Sequence, residues 1–400
     1  MKHIVILLDG ASDYPIAALD GKTPLEAAYK PNIDKLAQNG EVGLVEMVPK
    51  DLSPGSDVAN LSVMGYNPHI YYTGRSALEA VSMGVALSAM DTTFRANIVT
   101  LSGDGAYENK VMIDYSADEI STEDAAILID AVNQKLKTAL YELFSGVSYR
   151  HLLLWRDKLE TLVLTPPHDI SGKCIESYLP SSPKILEIMK KSNEILRNHP
   201  LNAQRILQGK KPANSLWIWG QGTSPTLPSF YDKYHKKGSV ISAVDLIKGI
   251  GICAKMRSID VEGATGTIHT NFEGKANAAI DALAQGDDFI YVHIEAPDEC
   301  GHHFEMEEKI KSIELIDKKI VGPIVTYLQT TKEAYHILII PDHATPVSLG
   351  THTNDPIPYI IYRSNDLKKG TGCYCESSAK EMFDHPGYKL MDYFLGNGEI

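Results

Sequence analysis

Residues of the metal-ligating kind stand at the ends of apolar runs along this chain, and that placement constrains the fold more than any bulk property. Asp9 closes the run at residues 4–8 (IVILLDG). Asp298 and His302 follow FIYVHI in APDECGHH, and Asp342 and His343 follow HILII in PDHATP. His352 lies in THTNDPIP, and Ser56 in the turn SPGSDVAN. Continuous apolar runs of this length read as buried strands, as in a parallel sheet covered on both faces. Such strands deliver the residues at their carboxyl ends into one crevice. Carboxylates and imidazoles suit hard and borderline divalent ions. A hydroxyl among them points to a nucleophile activated at a metal.

The pattern between these strands alternates. Asn32 reads as an N-cap after Pro31, with Ile33, Leu36 and Ala37 as the buried stripe and Gly40 as the stop. Ser56 precedes Val58, Ala59, Leu61, Val63 and Met64, which sets it at a helix N-terminus, where free N–H groups favour a phosphate. Ser121 with Asp124 resembles a capping box, and the pattern extends that helix to Phe144. Strands are expected over 151–155 and 160–165, and a helix starts at Ser182-Pro183 and stops before His199-Pro200. Helices over 274–285 and 305–328 each precede an apolar strand, at 289–294 and 336–340. Trp217 and Trp219 read as packing residues.

Metal-ligand residues occur at both ends of the chain and are sparse in the middle. The topology expected is therefore an α/β core with a parallel-rich sheet flanked by helices, interrupted by a smaller α/β domain. Residues 1–89 and 237–400 form the core in this reading, and 90–236 the inserted substrate-binding lid. A chain of 400 residues is also longer than one core usually holds.

Composition excludes several classes. The formal net charge of −13 argues against non-specific nucleic-acid binding. No apolar run reaches membrane-span length, and no signal peptide is evident. The five cysteines (Cys174, Cys253, Cys300, Cys373, Cys375) lack a disulfide framework, which fits a reducing, cytoplasmic location. The Cys373–Cys375 pair alone reads as incidental.

Taken together, LLDGASDYP, PGSDVANLSVMGYNPHIYYTGR, FRANIVT, GATGTIHTNFEGK, HIEAPDECGHH, PDHATP and THTNDPIPY resemble the cofactor-independent phosphoglycerate mutases of the archaeal type, within the alkaline phosphatase superfamily. The resemblance implies an alkaline-phosphatase-like core, an inserted lid and two divalent metal ions, Mn or Mg with Zn also admitted. Carried onto this chain, Asp298, His302 and His352 bind one ion, and Asp9, Ser56, Asp342 and His343 the other. Ser56 is then the catalytic nucleophile, which takes the phosphoryl group of 3-phosphoglycerate and returns it to the 2-hydroxyl. Arg75, Arg95, Arg150 and Lys248 are candidates for phosphate and carboxylate recognition. His151, His168 and Asp169 are candidates for handling the proton of the receiving hydroxyl. The partner implied is a small phosphorylated hydroxy acid.

Two other readings stand beside this one. PGSDVANLS, MIDYSAD, YRH and HPLNAQR are as similar to a related bacterial branch proposed as homoserine kinases, although no Walker A or protein-kinase signature is present. A non-catalytic metal-binding protein would be marked by loss of Ser56 or several ligands, and none is missing.

Overall fold

A computed structural model describes residues 1–103 and 105–396. The chain forms two compact units, Met1–Tyr72 with Thr226–Ile400, and Thr73–Pro225.

The first unit is a mixed α/β body around a seven-stranded sheet. Its strands run in the order Glu41–Val45, Ile357–Arg363, Tyr335–Ile340, Lys2–Leu8, Phe289–Ile294, Gly238–Ile241 and Arg257–Ile259. The last five are parallel, and the first two join as an antiparallel edge. Lys2–Leu8 is central, and residues 4–8 are fully buried. That is why they show no alternation: both faces are covered, so both need apolar side chains. Ile4, Ile6, Leu8, Ile290, Val292, Ile294, Ile337 and Ile339 share one cluster with Ile33 and Leu36, Phe272 and Ala276, and Ile313 and Ile316. These come from helices Pro31–Gln38, Phe272–Ala284 and Met306–Ile316.

The second unit is built on a five-stranded sheet. Thr92–Leu101 is its axis and pairs antiparallel with Met112–Asp114, Arg150–Trp155 and Ser215–Thr223. Tyr141–Phe144 extends it beyond Arg150–Trp155. Phe94, Ala96, Ile98 and Leu153 pack against Ala125, Leu128, Ile185 and Met189 of helices Thr122–Leu136 and Pro183–Leu196. Ala80 of helix Arg75–Ser82 clusters with Leu152 and Leu154. The unit boundaries thus fall earlier than 90 and 236. The helix over residues 75–82 belongs to the second unit, while Phe230 stacks on Phe289 of the first, ring centroids 4.4 Å apart.

Four local readings differ from the structure, the first being that Lys30 and not Asn32 is the N-cap, since the helix already begins at Pro31. The helix opened by Ser121, whose Oγ accepts from Asp124 N at 3.2 Å, ends at Leu136 and not at Phe144. Thr138 Oγ1 accepts from the amides of Leu140 and Tyr141 there, and Tyr141–Phe144 joins the sheet. Residues 160–165 form no strand. The expected helix over 305–328 is interrupted by a π-turn at Asp317–Val321. Two causes are visible. Pro323 has no N–H to donate back along the helix, and the Asp317 carboxylate accepts from Ile33 N at 2.7 Å and Asn32 Nδ2 at 2.8 Å. Among the described residues no helix is long and apolar enough to cross a membrane.

Two buried histidines make the fold acid-sensitive. His3 and His151 are both held down to about 3, chiefly by burial. Neither ring nitrogen of His3 has a hydrogen-bond partner, and Nε2 of His151 has none. Both are neutral when folded and take up a proton on unfolding below their ordinary 6.5. Their contribution is intact above that value and is lost as pH falls towards 3, by about 1.4 kcal/mol per unit for each group. His3→Leu is expected to lose about 2 kcal/mol less than the wild type between pH 7 and pH 5, measured by denaturant unfolding of the first unit. An unchanged pH dependence in the variant would show that His3 is not a titrating group of the fold.

Candidate metal centre

The seven metal-site candidates all lie in the first unit, and the chain brings them together. Asp9 and Asp342 sit just beyond the ends of the adjacent parallel strands Lys2–Leu8 and Tyr335–Ile340, and His343 is next to Asp342. Asp298 and His302 share helix Ala296–His302, which follows strand Phe289–Ile294, and their spacing sets both on one helical face. Ser56 is the first residue of helix Ser56–Val63.

Two groups of side chains could each hold a cation: Asp9, Asp342 and His343, and Asp298, His343 and His352. Within each, the ligand atoms lie within 4.8 Å of one another. His343 belongs to both. Its Nε2 is 3.1 Å from Ser56 Oγ, 3.3 Å from Asp342 and 3.6 Å from Asp9. His302 Nε2 is 3.2 Å from Asp298 and 2.9 Å from His352 Nε2. Its Nδ1 is 2.9 Å from Gly350 O. A ring donating from Nδ1 to that carbonyl leaves Nε2 free as a ligand.

The electrostatics fit a cation. Burial together with Asp342, Asp298 and Glu295 drives Asp9 well above the carboxylate range. Its Oδ1 is buried without a hydrogen-bond partner. Asp298 is also buried, which pushes it up, but His302 and His352 outweigh that and hold it well below its usual range. His302 is raised to about 9, mainly by its hydrogen bond to Asp298. Burial lowers His343. Clustered carboxylates, an unpartnered carboxylate oxygen and imidazoles aimed at the same point form a donor set that suits a divalent ion.

Further residues hold this set in place, and the sequence analysis did not single them out. Asn60 is one helical turn after Ser56. Its Nδ2 donates to Ser56 O at 2.9 Å and to Asp342 Oδ2 at 2.8 Å, and Tyr291 OH donates to its Oδ1 at 2.6 Å. His293 stands two residues after Tyr291 on the same strand face. Its Nε2 meets Asp9 Oδ2 at 2.9 Å and its Nδ1 meets Ser242 Oγ at 3.2 Å. Thr345 Oγ1 donates to Asp298 Oδ1. Gly10 has φ +60°, and a Cβ there would stand 2.4 Å from Asp298 Oδ1. No larger residue fits, because the backbone must pass against the site. Polar residues inside otherwise apolar strand text, Tyr291 and His293 in FIYVHI, were the available signal. Asp57 accepts from Tyr72 OH at 2.7 Å and from Val58 N at 2.9 Å, so it braces the start of the Ser56 helix.

In the second unit, Arg75, Arg95 and Arg150 form one basic patch. Glu79 bridges Arg75 Nε at 2.8 Å and Arg95 Nε at 3.1 Å. Arg95 lies over the Trp219 ring at 4.4 Å, and Arg150 over Tyr149 at 4.8 Å. Burial, outweighing the attraction of Glu79, lowers Arg95 to about 10, with Arg75 and Arg150 adding repulsion. His168 packs edge-on to Trp219, ring centroids 5.5 Å apart, and its Nε2 is 3.6 Å from Asp169. Burial lowers it, and Arg95 and Arg75 add to that. His151 is not brought to this patch. It pairs with Ala96 while Arg150 pairs with Asn97, so alternation turns it to the opposite, helix-covered face. Its Nδ1 accepts from Gly146 N at 3.1 Å. Lys248 lies in the first unit on helix Asp245–Cys253 and pairs with Asp260 at 2.7 Å.

A family model described as 2,3-bisphosphoglycerate-independent phosphoglycerate mutase matches residues 37–202. The chain is 47% identical over 386 residues to the 2,3-bisphosphoglycerate-independent phosphoglycerate mutase of Methanosarcina barkeri, covering 95% of each chain. It is 46% identical to a probable enzyme of the same name from Geobacter sulfurreducens, covering 99% of this chain and 100% of that one. Its fold is similar to a solved protein structure from Pyrococcus horikoshii, with a TM-score of 0.82, 30% identity, and 100% and 98% of the two chains covered. With that identity sustained over nearly its whole length, the chain belongs to the 2,3-bisphosphoglycerate-independent phosphoglycerate mutase family.

Proposed function

We propose that this chain is a metal-dependent phosphoglycerate mutase, interconverting 3-phosphoglycerate and 2-phosphoglycerate through phosphorylated Ser56. The observation that carries the reading is the contact of the Ser56 hydroxyl with His343, the residue common to both cation-capable groups. The relatives' names favour this reaction over homoserine phosphorylation.

In the proposed reaction, Ser56 Oγ attacks the phosphorus of 3-phosphoglycerate and the bond to the C3 oxygen breaks. The 2-hydroxyl of the reoriented glycerate then attacks phosphoserine and releases Ser56. Asp298, His302 and His352 would hold one divalent ion, and Asp9, Ser56, Asp342 and His343 a second, with Mn or Mg as the proposed metals. Such ions supply positive charge to the phosphoryl oxygens and favour the serine alkoxide. The helix N-terminus at Ser56 adds N–H groups for the same oxygens. Asn60 fixes the Ser56 carbonyl and Asp342 relative to each other, so nucleophile and ligand keep one geometry.

The second unit is the proposed substrate-binding lid. Of the three guanidinium groups there, Arg75 and Arg95 share the single Glu79 carboxylate, leaving positive charge for an anion that carries both phosphate and carboxylate. His168 with Asp169 is the remaining candidate for the acceptor's proton. His151, buried on the other face, is withdrawn from that role. The proposed location is the cytoplasm, in keeping with five free cysteines.

A coupled assay with purified, Mn-loaded protein tests the reaction. It is expected to convert 3-phosphoglycerate to 2-phosphoglycerate without ATP, and Ser56→Ala is expected to lose roughly 10³-fold or more of that rate. ATP-dependent phosphorylation of homoserine in place of this conversion would overturn the assignment.

The metal assignment has its own readout. His302→Ala and His343→Ala are each expected to lower bound metal in elemental analysis, His343→Ala more because it serves both groups. Saturating Mn should raise the wild-type unfolding free energy by about 2.7 kcal/mol at a hundredfold excess over Kd, with much less gain in His343→Ala. Full occupancy and an unchanged gain in both variants would remove these histidines from the site.

A further inference from the structure

The loop that follows strand Ile357–Arg363 carries a cluster which the phosphoryl-transfer chemistry does not use. Cys373 and Cys375 are both free and lie two residues apart in this loop. Cys373 is partly exposed and Cys375 buried. The ammonium of Lys30, itself only 1% exposed, stands 3.4 Å from Cys373 Sγ and 3.3 Å from Asp34. Cys375 Sγ is 3.3 Å from Ser377 Oγ. A buried cation on one sulfur and a hydroxyl on the other are surroundings that stabilise a thiolate.

The next residue ties this loop to the start of the chain. Glu376 accepts from Ser12 Oγ at 3.1 Å, Asp13 N at 2.9 Å and Thr23 Oγ1 at 2.6 Å. Asp13 in turn pairs with buried Lys309 at 2.8 Å, and Lys309 donates to Thr345 O at 2.8 Å. Thr345 is the residue that holds Asp298.

We propose that Cys373 and Cys375 form a hydroperoxide-reactive dithiol, whose closure to a disulfide loosens the grip of Glu376 on Ser12 and Asp13. Each sulfur acts on the other: Cys375 is drawn down to about 5, chiefly by the Cys373 thiol, and Cys373 is raised, chiefly by Cys375, so one proton is held between the two. When that proton crosses to Cys375, the partly exposed Cys373 carries the charge beside Lys30. The Cys373 thiolate attacks one oxygen of the hydroperoxide; the O–O bond breaks and the S–O bond of a sulfenic acid forms. The departing alkoxide or hydroxide takes the proton from Cys375. The Cys375 thiolate then attacks the Cys373 sulfur; the S–S bond forms, the S–O bond breaks, and hydroxide leaves to solvent. Two thiol sulfurs are oxidised and one peroxide is reduced. The disulfide requires the sulfurs about 2.05 Å apart, closer than any hydrogen-bonded contact. It also removes the charge that the pair holds near Lys30 and disturbs the contact of Cys375 Sγ with Ser377 Oγ, so the backbone around Cys375 and Glu376 has to shift.

The test uses the full chain, reduced, freed of reductant, and exposed to hydrogen peroxide before alkylation and digestion. The peptide containing residues 373 and 375 is expected to appear unalkylated and lighter by two hydrogens. It should form about tenfold faster than peroxide modification of the exposed Cys174. Amide exchange at Asp13, whose N–H is held by Glu376, should accelerate about tenfold on oxidation and return with a thiol reductant. Cys375→Ser should leave Cys373 as sulfenic acid with Asp13 exchange unmoved by peroxide. Reaction no faster than at Cys174, separate oxidation of the two cysteines in the wild type, or a disulfide with unchanged Asp13 exchange would each overturn the proposal. The wild-type measurements decide it even if the variant fails to fold. None of these readouts depends on mutase activity.

Discussion

Three carboxylates, Asp9, Asp298 and Asp342, are held close together at the carboxyl end of a parallel sheet from which water is largely excluded, and the first unit is arranged around that crowding. At about 4 Å and an effective dielectric near 20, two such charges repel by about 4 kcal/mol. The chain relieves part of this with its own groups. His302 and His352 lean on Asp298, His293 on Asp9, and Asn60 with the Gly10 amide on Asp342. The relief is incomplete, since Asp9 keeps a buried oxygen without a partner and rises far above the carboxylate range. A rigid scaffold is what makes such incompleteness tolerable. The strands behind the site are fully buried, and their registers fix Asp9 beside Asp342.

That rigidity also explains which parts of the molecule could be read from sequence. Strands buried on both faces must be apolar throughout, so the runs at 4–8, 289–294 and 336–340 stood out, and so did the residues at their ends. The metal-site candidates could be named because their chemistry is rare in such positions. Shorter-range choices were less legible. The π-turn at Asp317–Val321 depends on Asp317 finding Asn32 and Ile33, a contact between segments 285 residues apart. The end of the helix at Leu136 depends on a sheet edge for residues 141–144 to join. Pro323 and Thr138 mark these places locally, but neither outcome follows from them alone.

The supporting residues were obscured by their own periodicity. Asn60 sits among Val58, Ala59, Leu61 and Val63 and reads as one polar position of a helix, yet its amide joins Ser56 to Asp342. Tyr291 and His293 read as members of a strand, because alternation shows only when both faces differ in polarity. His151 shows the reverse error. Its neighbour Arg150 lies with Asn97 on the arginine face, and a step of one residue along a strand reverses the side chain. Adjacency in sequence made His151 look functional, although the sheet commits it to a core where it remains neutral.

The second unit solves a related problem with the opposite sign. Arg75, Arg95 and Arg150 would repel one another if left alone. Glu79 sits between two of them, and its carboxylate stays below its ordinary value because the pull of Arg95 and Arg75 outweighs its burial. Trp219 and Tyr149 carry the faces of Arg95 and Arg150, and Asn97 fixes the Trp219 indole at 3.0 Å. Long cationic side chains normally lose about 2 kcal/mol of rotamer freedom when they are ordered on a ligand. Here Glu79 and the two rings have already ordered them. In the proposed substrate-binding role, an anion would then need little rearrangement of the guanidinium groups, and each bidentate contact would contribute more affinity than a flexible lysine could give.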